Sequence, residues 1–477
     1  MVCSPILRLT TNCKGRGPDL DRSNININDV LGGYSLSLID SLDTLYIMGN
    51  YSEFRRGIEL VTKNVHFDLD TIVHVFESTI RVLGGLISAY QLNSYSPDKL
   101  LTLAQNLASK LLHAFNSTTQ IPYPAISLID SKINKNRTGI PPGAVGGILL
   151  EFTTLSKLTN DPVYEDAARQ SVASLYDKRT VKGLFGSEID VETGHWMLDM
   201  AGVGAGTDSL YECVLKNYIA YGNLTDLAMY QSMMLAVEKH LKPKNACFPY
   251  LNIHSREGYQ LNNWVDSLSA FFPGMLVLEG NDINQAICMH AHYWSIFQSY
   301  GGMPERYNWY YDKVELGWYP LRPEFIESTY YLYRATKSPF YLNIGEQIIT
   351  ILEERTKSNC GYGTIHDVTK HSLEDRQESF FLSETLKYLY LLFDENNFLH
   401  KSNEWVFTTQ AHLVKIENEH SNEMKLGRFS KSIKNLMNQT STYRCNDNSR
   451  FSDISNCKQS ILGLLNKDSL PTSLYRD

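Results

Sequence analysis

The stretch LRPEFIESTYYLY, residues 321–333, puts two carboxylates, Glu324 and Glu327, three positions apart at the head of an apolar, aromatic run. Pro323 suits a first helical turn and the apolar residues recur at helical spacing, so the sequence predicts a helix with both acids on one face. A single such pair reads most simply as a complement to the helix dipole, worth a few tenths to about 1 kcal/mol. The phrase recurs, however. HVFESTIRVLGGL (74–86) repeats Glu-Ser-Thr with Glu77, and DRQESFFLSETLKYLYLLF (375–393) carries Glu378 and Glu384. Three separate apolar helices therefore open on acids.

The helical period dominates up to residue 393, with about a dozen amphipathic runs and few alternating strands. Ser96-Pro97, Asp161-Pro162 and Ser338-Pro339 each read as a cap followed by proline in the first turn. Helical hairpins of this kind stack as an open solenoid or a closed toroid. Glu327 and Glu378 lie 51 residues apart, close to one helix pair with its loops, so closing the ring brings the acids to one central well. The expected fold is all-α, helical hairpins over residues 1–413, with the solenoid and the toroid both open on spacing alone. Residues 414–477 are polar and rich in Asn and Ser, and read as a loosely ordered tail.

Several function classes drop out on composition. Net charge is −8, and no Lys/Arg-rich run is interleaved with aromatics, which argues against nucleic acid. No apolar stretch approaches the length of a membrane span, and MVCSPILRLTTNC lacks the basic and apolar regions of a signal peptide. The eight cysteines include no CxxC pair, so zinc spacing is absent, and they leave buried thiols and long-range disulfides both open. His290 and His292 leave a helix on different faces and read as non-ligands. A well of acids and aromatic rings suits carbohydrate, since an acid pair can protonate a glycosidic oxygen and activate water.

Seven segments extend this reading: GGYSLSLIDSLDTLYIMGN (32–50), HVFESTIRVLGGLISAY (74–90), AGVGAGTDSLYECVLKNY (201–218), WVDSLSAFFPG (264–274), LRPEFIESTYYLYRAT (321–336), ESFFLSETLKYLYLLFDENN (378–397) and VFTTQAH (406–412). In this order they resemble the class I α-1,2-mannosidases, and CKGRGPD (13–19) resembles the ER degradation-enhancing α-mannosidase-like branch of them. The resemblance implies an (α/α)7 toroid and an inverting hydrolase. It would remove α-1,2-linked mannose from high-mannose N-glycans on misfolded glycoproteins in the ER lumen, marking them for degradation.

Carried onto matching positions, the resemblance implies Glu77 as general acid acting through a water, Glu324 as the base, and Asp266 as a third essential carboxylate. It implies that Thr409 binds Ca²⁺ through its hydroxyl and carbonyl. Arg81, Asp208, Arg322, Glu327, Glu378 and Glu384 would hold sugar hydroxyls or calcium-bound waters, although Asp208 at a helix start also reads as a cap. It further implies a Cys13–Cys360 disulfide and a disulfide isomerase-type oxidoreductase as partner. Arg81 follows Glu77 by one turn and favours its charged form, so burial must outweigh it, or the proton must pass through a shared water.

Two departures from the pattern stand out. Only twelve residues precede Cys13, so the first helix of the ring is expected to be missing, and Gln410 stands where an acid is usual. A binding module of the same fold, without turnover, is the alternative to a hydrolase. Retention of Glu77, Asp266 and Glu324 favours the hydrolase.

Overall fold

The computed structural model describes residues 34–93, 98–243, 249–280, 283–359 and 361–417. Its helices, in chain order, are α1 (Leu36–Ile47), α2 (Tyr51–Asn64), α3 (75–92), α4 (Asp98–Leu111), α5 (142–159), α6 (Val163–Asp177) and α7 (Asp208–Tyr221). They continue as α8 (Leu224–His240), α9 (268–279), α10 (Ile283–Tyr300), α11 (Glu324–Thr336), α12 (Pro339–Arg355) and α13 (381–393). Seven of these, α1, α3, α5, α7, α9, α11 and α13, pack each against the next, and α13 packs back on α1. The ring is closed. The even-numbered helices lie outside it, each packed on its preceding inner helix.

This is an (α/α)7 toroid, and its inner ring is complete within the described residues. The helix expected to be missing is therefore not an inner one.

Local sequence explains the hairpins. Inner helices α5, α7, α9 and α11 end on residues in the left-handed region, Asn160, Gly222, Gly280 and Lys337, which terminate the helix and turn the chain sharply. The next helix then starts on a cap: Asn223 accepts from the Thr225 amide at 2.9 Å, and Ser338 from the Phe340 amide at 3.4 Å ahead of Pro339. The Asp161 carboxylate accepts from the Val163 amide at 3.2 Å. Ser96 and Pro97 lie outside the described residues.

Turns from inner to outer helix are short. Returns from outer to inner helix are long and carry the small sheets, among them the three-stranded sheet of Trp264–Asp266, Arg306–Asn308 and Lys313–Leu316. These strands run two to four residues each, too few for alternation to declare itself in sequence. All the inner helices thus present their N-terminal ends to the long-loop face.

From the opposite face, a hairpin pairs Trp405–Phe407 with Leu413–Lys415 and enters the ring beside α3 and α7. The Leu413 amide donates to Ser88 Oγ at 3.0 Å. Gly84 clears its path, because a Cβ there would meet His412 Cδ2 at 2.9 Å. The boundary expected at 413/414 falls inside this second strand. Most of the tail, 418–477, lies outside the described residues.

Candidate active site

The acid-bearing inner helices converge where the long loops meet the hairpin tip. Glu77 stands in the first turn of α3, and Ser78–Leu83 beyond it winds as a π-helix, a rare form frequent at functional sites. Arg81 Nε donates to Glu77 Oε2 at 2.7 Å and its Nη1 to Ser379 Oγ at 3.1 Å, with the guanidinium over the Phe380 ring. The two side chains are only 11% and 23% exposed, so this is not a surface salt bridge. Burial pushes the Glu77 carboxyl up, but Arg81, His74 and Arg322 together outweigh it and hold the group below its ordinary value. Arg81 is the largest of these opposing charges.

Glu324 is in the opposite condition. It is the first residue of α11, after Pro323, and burial pushes its carboxyl up to about 8 against the pull of Arg322. Its Oε2 is buried without a hydrogen-bond partner. Arg322 beside it is held by both oxygens of Glu305, with Nε to Oε2 at 2.7 Å, and the same Glu305 Oε2 accepts from Ser267 Oγ at 2.8 Å. Glu305 therefore ties the segment carrying Asp266 to the segment carrying Glu324. Sequence reasoning missed it, since the only signal is one acid in the loop GGMPERYNW.

Asp266 ends its strand with Oδ1 accepting from the Ala205 and Ser269 amides, both at 3.1 Å. Burial raises its carboxyl despite those bonds. A Cβ at Gly204 would lie 2.3 Å from Asp266 Oδ2, which gives the glycines of GVGAGTDS a physical purpose. Asp208 is the first residue of α7 while Thr207 holds the cap position, so the expectation of Asp208 as a cap is corrected. Its Oδ1 accepts from the Ser209 amide at 2.8 Å, and burial, with Asp266 and Glu212 nearby, pushes its carboxyl up to about 7.

At the floor, Thr409 on the hairpin tip donates from Oγ1 to Glu212 Oε2 at 2.6 Å. Glu212 also pairs with the buried Lys216, which reaches Glu327 Oε1 at 3.5 Å and the Thr408 carbonyl at 3.3 Å. Burial raises Glu327, whose Oε1 accepts from Tyr388 at 3.1 Å. Glu384, on the π-helical start of α13, is raised well above its usual value by burial and by the carboxyls of Glu324, Glu327 and Asp40. Glu378 accepts from Arg376 Nε and lies in the field of Arg81 and Arg322.

One side of the tip is an ionic network that sequence reasoning also missed. His412 spans Asp40 at 3.1 Å and Asp43 at 3.0 Å, and Lys387 donates to Asp43 at 2.9 Å. Burial would lower His412, but the Asp43 and Asp40 carboxylates hold it up to about 9. Gln410 donates to Ser383 Oγ at 3.0 Å and to Asp40 Oδ2 at 3.4 Å. Glu151, wholly buried with both oxygens unpaired, is pushed up to about 8 by burial. His290 and His292 are packed in the core, with His290 bonded to Thr329.

The floor fits a hard cation. Thr409, Glu327 and Glu384 offer oxygens, one buried Glu324 oxygen is orphaned, and burial raises the carboxyls of Glu324, Glu327 and Glu384, with Glu324 and Glu327 adding to it at Glu384. No group of three or more His, Cys, Asp or Glu residues among those described is close enough to hold a metal. Thr409 would then be a direct ligand, with the carboxylates reached through water. Cys13 and Cys360 lie outside the described residues; Cys288 is disulfide-bonded and Cys213 is a buried thiol.

The sequence pattern of Glycosyl hydrolase family 47 matches residues 13–416. The chain belongs to that family. It is 42% identical over 420 residues to the ER degradation-enhancing alpha-mannosidase-like protein 1 of Schizosaccharomyces pombe, covering 86% of this chain and 53% of that protein. It is 41% identical over 408 residues to Alpha-mannosidase I MNS4 of Arabidopsis thaliana, covering 81% of this chain and 64% of the relative. The chain thus spans between about half and two thirds of these relatives. Among solved structures, the alpha-1,2-mannosidase from Trichoderma reesei superposes with a TM-score of 0.72 at 25% identity, covering 81% of this chain and 91% of that one. As a family 47 member the chain carries the family's toroid, and no helix among its described residues is long and apolar enough to cross a membrane.

Proposed function

We propose that this family 47 chain is an inverting, calcium-dependent α-1,2-mannosidase that trims high-mannose N-glycans of misfolded glycoproteins in the ER lumen, marking them for degradation. The observation that carries the reading is the convergence of Glu77, Asp266 and Glu324 from three inner-ring segments onto one well. Arg81 pairs with Glu77, Arg322 acts on both Glu77 and Glu324, and the Arg322–Glu305–Ser267 link joins the segments of Asp266 and Glu324. In the proposed reaction Glu324 takes a proton from the water that attacks the anomeric carbon. Glu77 returns one, through a second water, to the departing glycosidic oxygen. The products are β-mannose and a glycan with a free 2-hydroxyl.

Arg81 favours the ionised form of Glu77. A sugar covering the remaining 23% exposure of that side chain would remove its water and raise its carboxyl toward the protonated form. Asp266, Asp208, Arg322 and Glu378 orient the sugar and waters around it. A calcium ion held by Thr409, and through water by Glu324, Glu327 and Glu384, would supply the positive charge that lets Glu324 ionise.

The disulfide at Cys288 supports an oxidising compartment, and a disulfide isomerase-type oxidoreductase is the partner that would form it. A Cys13–Cys360 bond belongs to the same proposal. Incubation with a high-mannose glycan and calcium should remove single hexoses by mass spectrometry, with the β-anomer appearing first by NMR. A chelator should stop it, and Thr409→Ala should weaken calcium binding. An initial α-anomer would contradict the inverting scheme, and turnover in chelator would remove the metal from it.

A further inference from the structure

On the face opposite the long loops, a cavity of about 170 Å³ opens beside the hairpin. Trp405 and Phe407 of the hairpin, Ile416 just beyond it, Val277 of α9 and Tyr330 of α11 line it, together with Arg334, which is paired with Glu395 at 3.6 Å. Protein interiors leave few voids larger than a water molecule. A cavity of about 150 Å³ between apolar side chains holds one benzene ring. This one therefore has the size and the lining for a single phenyl group, and the Tyr330 and Phe407 rings already meet edge to face beside it, at 6.2 Å.

What can reach the cavity follows from where the chain goes. Ile416 is part of the lining, and the Glu417 amide after it donates to the Ala220 carbonyl at 3.1 Å. Residues 418–477 continue from that point, at the cavity's border. Among them MKLGRFSKSIKNLM (424–437) sets Leu426, Phe429, Ile433 and Leu436 three, four and three apart, one stripe at helical spacing. Lys425, Arg428, Lys431 and Lys434 fall off that stripe, with no acid in the segment. Phe429 is the first Phe, Tyr or Trp after the exit. Exposed Glu404 and Glu417 flank the exit, joined through the Ile416 amide, which donates to the Glu404 carbonyl at 2.8 Å. Acids thus stand where the bases would arrive.

We propose that residues 424–437 of this chain dock back on the cavity, with the Phe429 ring as the anchor inside it. This stands independently of the mannosidase reading. It bears on the site all the same, because Trp405–Phe407 is the strand that runs on to Thr408 and Thr409. A docked segment holds the hairpin from outside the ring, while Glu212 and Lys216 hold its tip from within.

Amide hydrogen exchange on the full chain tests it, with Phe429→Ser inside the segment and Phe451→Ser as a control outside it. In the unmodified chain the amides of 424–437 should exchange more slowly than in a free peptide. Phe429→Ser should speed them about ten- to a hundredfold, the scale of unburying one phenyl side chain, and Phe451→Ser should leave them unchanged. A second measurement is binding in trans, by fluorescence anisotropy of a labelled peptide of residues 422–439. It should bind the Phe429→Ser chain saturably and the unmodified chain about tenfold more weakly or less, because there the cavity is already filled in cis. Free-peptide exchange over 424–437 in the unmodified chain overturns the docking, as does equal binding of the peptide to both chains or to neither. Protection that rises with protein concentration makes the occupant the segment of a second copy, and overturns it as well.

Discussion

Arg81 joins Glu77, 2.7 Å away on its own helix, to Ser379 at the start of the last inner helix, so one guanidinium ties α3 to the segment that closes the ring. Replacing it leaves a largely buried carboxylate unpaired, and Arg81→Met should cost about 2–4 kcal/mol at neutral pH. The sign with pH follows from the lowered Glu77 carboxyl. Its stabilisation is complete above the ordinary value of 4.5 and is lost as pH falls through the lower folded value. Urea titrations at pH 7 and pH 3 should therefore show the penalty shrinking in acid. A pH-independent penalty would mean that Arg81 acts through packing alone.

Glu324 gives the opposite dependence. With its folded carboxyl raised from 4.5 to about 8, the unfolded chain ionises first, so this group lowers stability progressively as pH rises across that window. Glu324→Gln keeps the shape without the charge. Without metal at pH 8 the variant should melt higher than the unmodified chain, while trimming falls by about 10²–10⁴-fold because the amide accepts no proton. Calcium at a hundred times its Kd should restore about 2.7 kcal/mol to the unmodified chain, and little to the variant. Undiminished turnover in Glu324→Gln would remove it from the mechanism.

The ring was legible because the segments that build it announce themselves: a succession of apolar helices, three of them headed by acids. The acids could be assigned to one well from Glu77, Glu324, Glu327 and Glu384 alone. What lay hidden depends on contacts between distant segments. Glu305 is bound to a residue 17 positions away and another 38 positions away, and nothing periodic connects them. Glu212 and Lys216 have the i, i+4 spacing of a surface pair but are buried because the hairpin tip reaches them. The π-helical turns after Glu77 and before Leu386 leave no mark in apolar runs that read as ordinary helix.

Gly204 tests whether the glycine-rich loop serves Asp266. Its backbone is not in the left-handed region, so alanine is tolerated by the chain itself, yet the new Cβ would fall 2.3 Å from Asp266 Oδ2. Gly204→Ala should displace the carboxylate, lowering stability by roughly 1–3 kcal/mol and activity more severely. Comparison with Asp266→Asn/Gly204→Ala separates the two effects: the added methyl should cost little further activity once Asp266 has lost its charge. Full additivity of the activity losses would show that Gly204 acts elsewhere.

Gln410 stands where the resemblance leads one to expect an acid, and its surroundings show what the amide contributes. It is buried, and it donates both to Ser383 and to Asp40, an oxygen 3.4 Å away that a carboxylate could only repel. Gln410→Glu removes that donor and places a second acid against Asp40. His412, held charged up to about 9 by Asp43 and Asp40, offsets part of the repulsion throughout the useful pH range. The metal-free variant should lose about 1–3 kcal/mol at pH 7. It should recover on acidification, as one of the two carboxyls takes a proton. Calcium should bind it more tightly, because the floor gains negative charge. Calorimetry with and without calcium checks both halves. A metal-free variant more stable than the parent at pH 7 would show that the amide's bond to Asp40 contributes nothing to holding the hairpin tip, and with it Thr409, in place.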